Sequence, residues 1–183
     1  MLRTALRLDH PAQRDLCWLA DDFVRFPIKH HGSFRDRREL STLLESQRLV
    51  AVFPEGPQAF DKPFYKRYEL GPFHGGGYVE AAARTRAPII PVGIVGNAEA
   101  HPVLFRVARL GRFVGLPSLP VTPTFPWLGP LGLIPFPSRW AIVCGEPMYI
   151  DTDCEDPQAL AAQEARVRDA VSWALGEARN IRG

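Results

Sequence analysis

The 183-residue chain has little cysteine: Cys17, Cys144 and Cys154, an odd number with no Cys-x-x-Cys pair. That pattern argues against a zinc site or dithiol redox centre written into the sequence. It points to reduced structural thiols of a cytosolic type, with no metal implied. Net charge is also scarce, at +2 from 22 basic and 20 acidic residues. A nucleic-acid binder relying on bulk electrostatics is thereby disfavoured, and no nucleic-acid partner is expected. The chain lacks a Gly-x-x-x-x-Gly-Lys-Ser/Thr loop, which leaves a nucleotide-driven enzyme unsupported. It lacks a Gly-x-Ser-x-Gly elbow too, so His74-Gly75-Gly76-Gly77 has no nucleophilic serine to serve as an oxyanion loop. Behind Met1-Leu2-Arg3-Thr4 there is no long apolar core, and no secretory signal is expected there.

Proline is plentiful, with eighteen residues in clusters. The longest uncharged run, residues 113–138, is long enough to cross a bilayer but carries seven prolines. Each removes an amide donor and breaks helix, whereas a membrane span must satisfy its backbone internally. The run is therefore read as a Pro-rich apolar loop within a single domain of residues 1–183. Its alternative role is an apolar lip in peripheral contact with a membrane, with Phe125, Trp127 and Phe136 as the bulky residues. A hydrophobic share of 46% and a charged share of 23% fit an ordinary globular domain rather than a disordered chain.

Apolar spacing predicts alternating elements. Leu40, Leu43 and Leu44 place a helix over residues 37–46, feeding an apolar strand at Leu49-Val50-Ala51-Val52-Phe53. After Gly75-Gly76-Gly77, Tyr78 to Arg84 is a good helix former, and Ile89 to Val95 reads as a second strand. The order strand, helix, strand predicts a parallel βαβ unit. A further strand is expected at residues 139–144. Pro157 starts a last helix with Leu160, Val167, Val171 and Leu175 on one face. The expected fold is α/β, a mainly parallel sheet flanked by helices.

The first strand ends in Phe53-Pro54-Glu55-Gly56, and the second begins Ile89-Ile90-Pro91-Val92. A carboxylate beside a glycine at a strand end suits a ligand-binding loop, and a solvated strand end is the plain alternative. In this order and at this separation, the two blocks resemble the glycerophospholipid acyltransferase family, over about residues 16–147. The resemblance implies an acyltransferase-like sandwich. It also implies transfer of a fatty acyl group from acyl-CoA, or an acyl carrier protein, to a lysophospholipid or glycerol phosphate in phospholipid synthesis. The thioester is a co-substrate, and no cofactor is needed. The expected location is cytoplasmic, peripheral on the inner face of the membrane. Glu55 and Gly56 would shape the acceptor site, with Arg35, Arg37 or Lys62 on the phosphate, a task to which Arg is suited.

Acyl transfer to an alcohol needs a base for the hydroxyl proton and donors for the oxyanion. In the resembled family the base is a His oriented by an Asp five positions later. Here that spacing occurs at His10 and Asp15, which are the candidate catalytic pair on spacing alone. Asp9 stands where the family commonly has Asn, and Pro11 with Gln13-Arg14 reads as a loop. Met1 to Leu8 reads as the helix that follows the block in the family. The expectation is therefore an N-terminally truncated domain with Met1 internal and the block upstream or lost. A relocated His10 and Asp15 pair, or a relative using other groups, remains open. The rival function is a non-catalytic lipid-binding remnant of the same fold. His30-His31-Gly32 reads as a solvated turn, since no Cys, Asp or Glu cluster completes a metal set.

Overall fold

The computed structural model describes residues 16–19, 33–34, 37–56, 59, 62–73, 76–100, 102–107, 119–151 and 156–183. β1 (Leu16–Leu19) lies between β2 (Ser33–Phe34) and β3 (Leu49–Ala51), parallel to both, with Cys17 opposite Val50. α1 (Arg37–Glu45) precedes β3 and packs on α2 (Gly77–Thr85). The turn between α1 and β3 closes through the Arg48 amide on the Leu43 carbonyl at 3.0 Å. A 3₁₀ turn at Phe64–Lys66 stands between β3 and α2.

β4 (Val92–Val95), α3 (Asn97–Ala100), β5 (Phe105–Val107), β6 (Leu119–Val121), a 3₁₀ turn at Gly129–Leu133 and β7 (Ala141–Cys144) follow. The chain ends in α4 (Pro157–Arg182). Asp156 caps α4 by accepting from the Gln158 amide at 2.9 Å, and Pro157 stands in the first turn, where its missing N–H costs nothing.

The expected mainly parallel sheet is overturned. The described strands fall into three small sheets, two of them antiparallel pairs. β4 does not extend the β3 sheet through α2. It pairs antiparallel with β7, Val92 facing Cys144 and Val95 facing Ala141. β5 and β6 form the other antiparallel pair, and among the described strands parallel pairing is confined to β1, β2 and β3. Two physical causes are visible. Pro88 and Pro91 strip amide donors from the run ahead of β4, so Ile89 keeps only an isolated antiparallel bridge to Met148. The space where a β3–β4 ladder would run is instead a cavity that both strands line.

Three small cores hold the elements together. Val79 and Ala82 of α2 pack with Ile150 and with Val167 of α4, while Ala81 faces Leu40 of α1. Val95, Ala141 and Ala178 join β4, β7 and α4. The α4 face predicted from Leu160, Val167, Val171 and Leu175 does turn inward, with Ala174 and Ala178 at its centre. Alanine there lets α4 approach β4 so closely that a Cβ on Gly93 would strike the backbone of Ala174 and Leu175. Glycine at position 93 is thus a packing requirement, and Gly93→Ala must push the helix off the strand.

Candidate active site

β3 runs into Phe53-Pro54-Glu55-Gly56, and the backbone reverses there. Gly56 adopts φ +62°, a left-handed conformation that glycine accepts without strain, and its amide closes on the Phe53 carbonyl at 3.0 Å. The reversal leaves the Glu55 carboxylate where it accepts from two donors, the Lys62 ammonium and the backbone N–H of Gly71. Lys62 also donates to the Glu69 carbonyl, at 2.6 Å. Glu55 therefore clasps the two ends of the segment that leaves β3. Its side chain is 16% exposed and that of Lys62 20%, so neither charge can be removed without stranding the other in a low-dielectric setting.

Both residues line a cavity of about 450 Å³ between β3, β4, α2 and α4. Its wall is mainly carbon, from side chains such as Leu40, Leu44, Val52, Tyr78, Val171 and Leu175. The volume lies within the roughly 300–1,000 Å³ typical of small-molecule sites. Burial, helped by the charge of Glu164, raises the Tyr78 hydroxyl above its ordinary pKa of 10.0 and keeps it protonated as a donor. That hydroxyl is buried and has no hydrogen-bond partner among the described residues.

A second polar cluster, absent from the sequence reading, is centred on Glu99 and meets the same cavity through Arg67. Glu99 of α3 accepts from Tyr68, from Arg67 at 3.1 Å and from Arg182 at 2.7 Å. Arg67 stacks over the rings of Phe64 and Tyr68, and Arg179 over Tyr68 at 5.0 Å. Burial pushes the Glu99 carboxyl up. The hydrogen bonds from Tyr68, Arg182 and Arg67 outweigh it and hold the carboxyl at about 2, against an ordinary 4.5. This cluster ties the C-terminal end of α4 to α3 and to the turn after Lys66.

Of the residues expected at the site, Glu55, Gly56 and Lys62 come together. Lys62 does so as the partner of Glu55, a contact that the reading as a phosphate ligand did not anticipate. Arg37 opens α1, and its side chain lies outside the described residues, as do Arg35, His10 and Asp15. All five histidines lie outside them, His74 included. Gly76 takes the N-cap position of α2 and receives the Val79 amide at 3.0 Å, a plain helix entry. Among the described residues no group of three His, Cys, Asp or Glu side chains is placed to hold a metal ion. No helix among them is long and apolar enough to cross a membrane.

Residues 8–95, just under half of the chain, match the Acyltransferase family model, and that match supports an acyltransferase domain here. An uncharacterized protein of Mycobacterium tuberculosis is 42% identical over 96% of this chain and 52% of its own length. One of Mycobacterium leprae is 41% identical over 96% of this chain and 51% of its own length. The chain thus spans about half the length of the curated relatives it matches. No solved structure matches it. The family match supports a general acyltransferase function; it includes both the Phe53-Pro54-Glu55-Gly56 and the Ile90-Pro91-Val92 blocks.

Proposed function

We propose that this domain moves a fatty acyl group from acyl-CoA, or an acyl carrier protein, to a lysophospholipid or glycerol phosphate. The reading is supported chiefly by the Glu55-Gly56 turn, which lies in the segment that matches the family and opens onto an apolar cavity. A mainly carbon wall favours an alkyl chain, because each buried methylene contributes about 0.8 kcal/mol. The protonated Tyr78 hydroxyl supplies a donor in the same wall.

In the reaction, a base takes the acceptor hydroxyl proton and the oxygen attacks the thioester carbonyl. The tetrahedral oxyanion then collapses with loss of the thiolate, which is protonated as free thiol. His10, held by Asp15, is the candidate base. Gly56 and the Glu55 clasp shape the acceptor site, with Arg35 and Arg37 as candidate phosphate ligands.

The test supplies palmitoyl-CoA with lysophosphatidate or glycerol 3-phosphate, following free thiol and the acylated product. Release of thiol in step with product is the expected result. His10→Ala should then lower turnover ~10²–10⁴-fold, the usual contribution of a general base. Unchanged turnover in that variant removes His10 from the mechanism. Saturable binding of lysophosphatidate with no thiol release would make the domain a lipid-binding remnant instead.

A further inference from the structure

Among the described residues, the charged side chains lining the cavity are Glu55, Lys62, Arg67 and Glu69. All of them belong to the segment between β3 and α2, while the linings from α1, α2, β4 and α4 carry no charge. One wall is therefore ionic and the others are carbon, which suits a ligand with a charged head and an alkyl tail.

Charge balance gives the sign of that head. Lys62 is answered by Glu55, one to one. Glu69 is mostly exposed, and its carboxylate lies 3.8 Å from the Lys66 ammonium. Arg67 is different. It shares Glu99 with Arg182, two guanidinium groups on one carboxylate, and Arg179 stands over the neighbouring Tyr68 ring. The Glu99 carboxyl titrates at about 2, so it carries its full charge at neutral pH and still leaves the cluster with excess positive charge. Of the arginines around it, Arg67 is the one on the cavity wall.

The Arg67 fork is also held in place. Its Nε donates to Glu99 at 3.1 Å and its Nη1 to the Phe64 carbonyl at 2.9 Å, and it stacks over the Phe64 and Tyr68 rings. Of the five N–H groups that a guanidinium carries, only these two meet an acceptor among the described residues. A fixed, partly buried guanidinium with N–H groups left over loses little side-chain freedom when it binds a carboxylate or phosphate.

The geometry points to Arg67 as the residue that reads the head of a single-chain anionic lipid, a carboxylate or a phosphate, with the alkyl chain against the carbon walls. The assignment rests on this cavity being the ligand site, as in the function proposed above, and not on acyl transfer.

The experiment measures binding to the full chain, without thioester, of palmitate, 1-palmitoyl lysophosphatidate, monopalmitoylglycerol and glycerol 3-phosphate. Palmitate, lysophosphatidate or both should bind at least tenfold tighter than the neutral monopalmitoylglycerol, as a hydrogen bond to a charged group allows. Whichever shows the preference names the head. Glycerol 3-phosphate, an anion without a chain, should bind weakest. Arg67→Gln should erase the tenfold preference and leave monopalmitoylglycerol binding unchanged. Arg182→Gln takes one cation from the same Glu99 but none from the cavity wall, and should keep the preference.

Equal affinity of the folded parent chain for charged and neutral lipids would overturn the assignment, whatever the variants do. So would a preference that survives in Arg67→Gln with its circular dichroism unchanged, or one lost equally in Arg182→Gln. Glycerol 3-phosphate binding as tightly as the lipids would overturn the amphiphilic ligand. A chain that shows the preference yet releases no thiol keeps Arg67 in this role and loses the function proposed above. One that releases thiol while Arg67→Gln changes no affinity does the reverse.

Discussion

Glu55 and Glu99 are the same side chain in similar burial, Glu55 taking one basic partner and a backbone amide and Glu99 two arginines and a tyrosine hydroxyl, and their positions give them different work. Glu99 is held by residues of the turn before Glu69 and of the far end of α4, so it joins three elements remote in sequence. Glu55 is held by residues within sixteen positions of itself and lines the cavity. A carboxylate that bridges distant elements contributes to global stability. One that clasps a single loop beside a cavity contributes to the shape of a site. Multiple donors on a buried carboxylate therefore do not by themselves mark chemistry; what they fasten does.

Substitution should separate the two. Glu99→Gln is expected to cost about 3 kcal/mol, because it weakens bonds to charged donors and leaves cations poorly paired. Thermal unfolding would show a clear drop in midpoint, while ligand binding measured well below that midpoint stays near the parent value. Glu55→Gln should cost less, about 1–2 kcal/mol, since only one loop is released. Binding of lysophosphatidate, and turnover where it is found, should nevertheless fall. An Glu55→Gln protein with unchanged binding would remove the clasp from the site. Tyr68→Phe should be smallest of the three, about 1 kcal/mol for loss of a hydroxyl that donates to Glu99 and accepts from Arg182, with no change in ligand binding. A larger loss from Tyr68→Phe than from Glu99→Gln would mean that the bond from Arg182 to the Tyr68 hydroxyl, rather than the carboxylate, holds α4 in place.

Local pattern explains what could be read in advance. The helix over residues 37–46, the helix after Gly77, the strand ending at Cys144 and the α4 start at Pro157 all appear close to their predicted positions. Each depends on spacing, caps and propensity within a few residues. Strand direction does not. An apolar run shows that a strand forms, whereas its partner is chosen by contacts such as Gly93 against Ala174, about eighty residues away. The same limit hid Glu99: Arg182 lies 83 positions on, and nothing near residue 99 announces it. Glu55 was legible because its motif is local, yet its bond to Lys62 was not, since a lysine seven positions away looks the same whether it binds a ligand or closes a loop.

Acid sharpens the contrast further, and its sign follows from the depressed carboxyl. Folded Glu99 titrates at about 2 and its unfolded reference at 4.5, so the unfolded chain binds the proton first as pH falls. The stabilisation from this carboxylate is therefore complete above about 4.5 and is lost progressively between 4.5 and 2. In Glu99→Gln the group no longer titrates, so its contribution to acid sensitivity in that window should vanish. Denaturant unfolding of both proteins from neutral pH down to this window should show their stabilities converging as pH falls. Parallel curves would mean that the hydrogen bonds from Tyr68, Arg67 and Arg182 do not favour the charged form, and the difference between Glu99 and Glu55 would then rest on position alone.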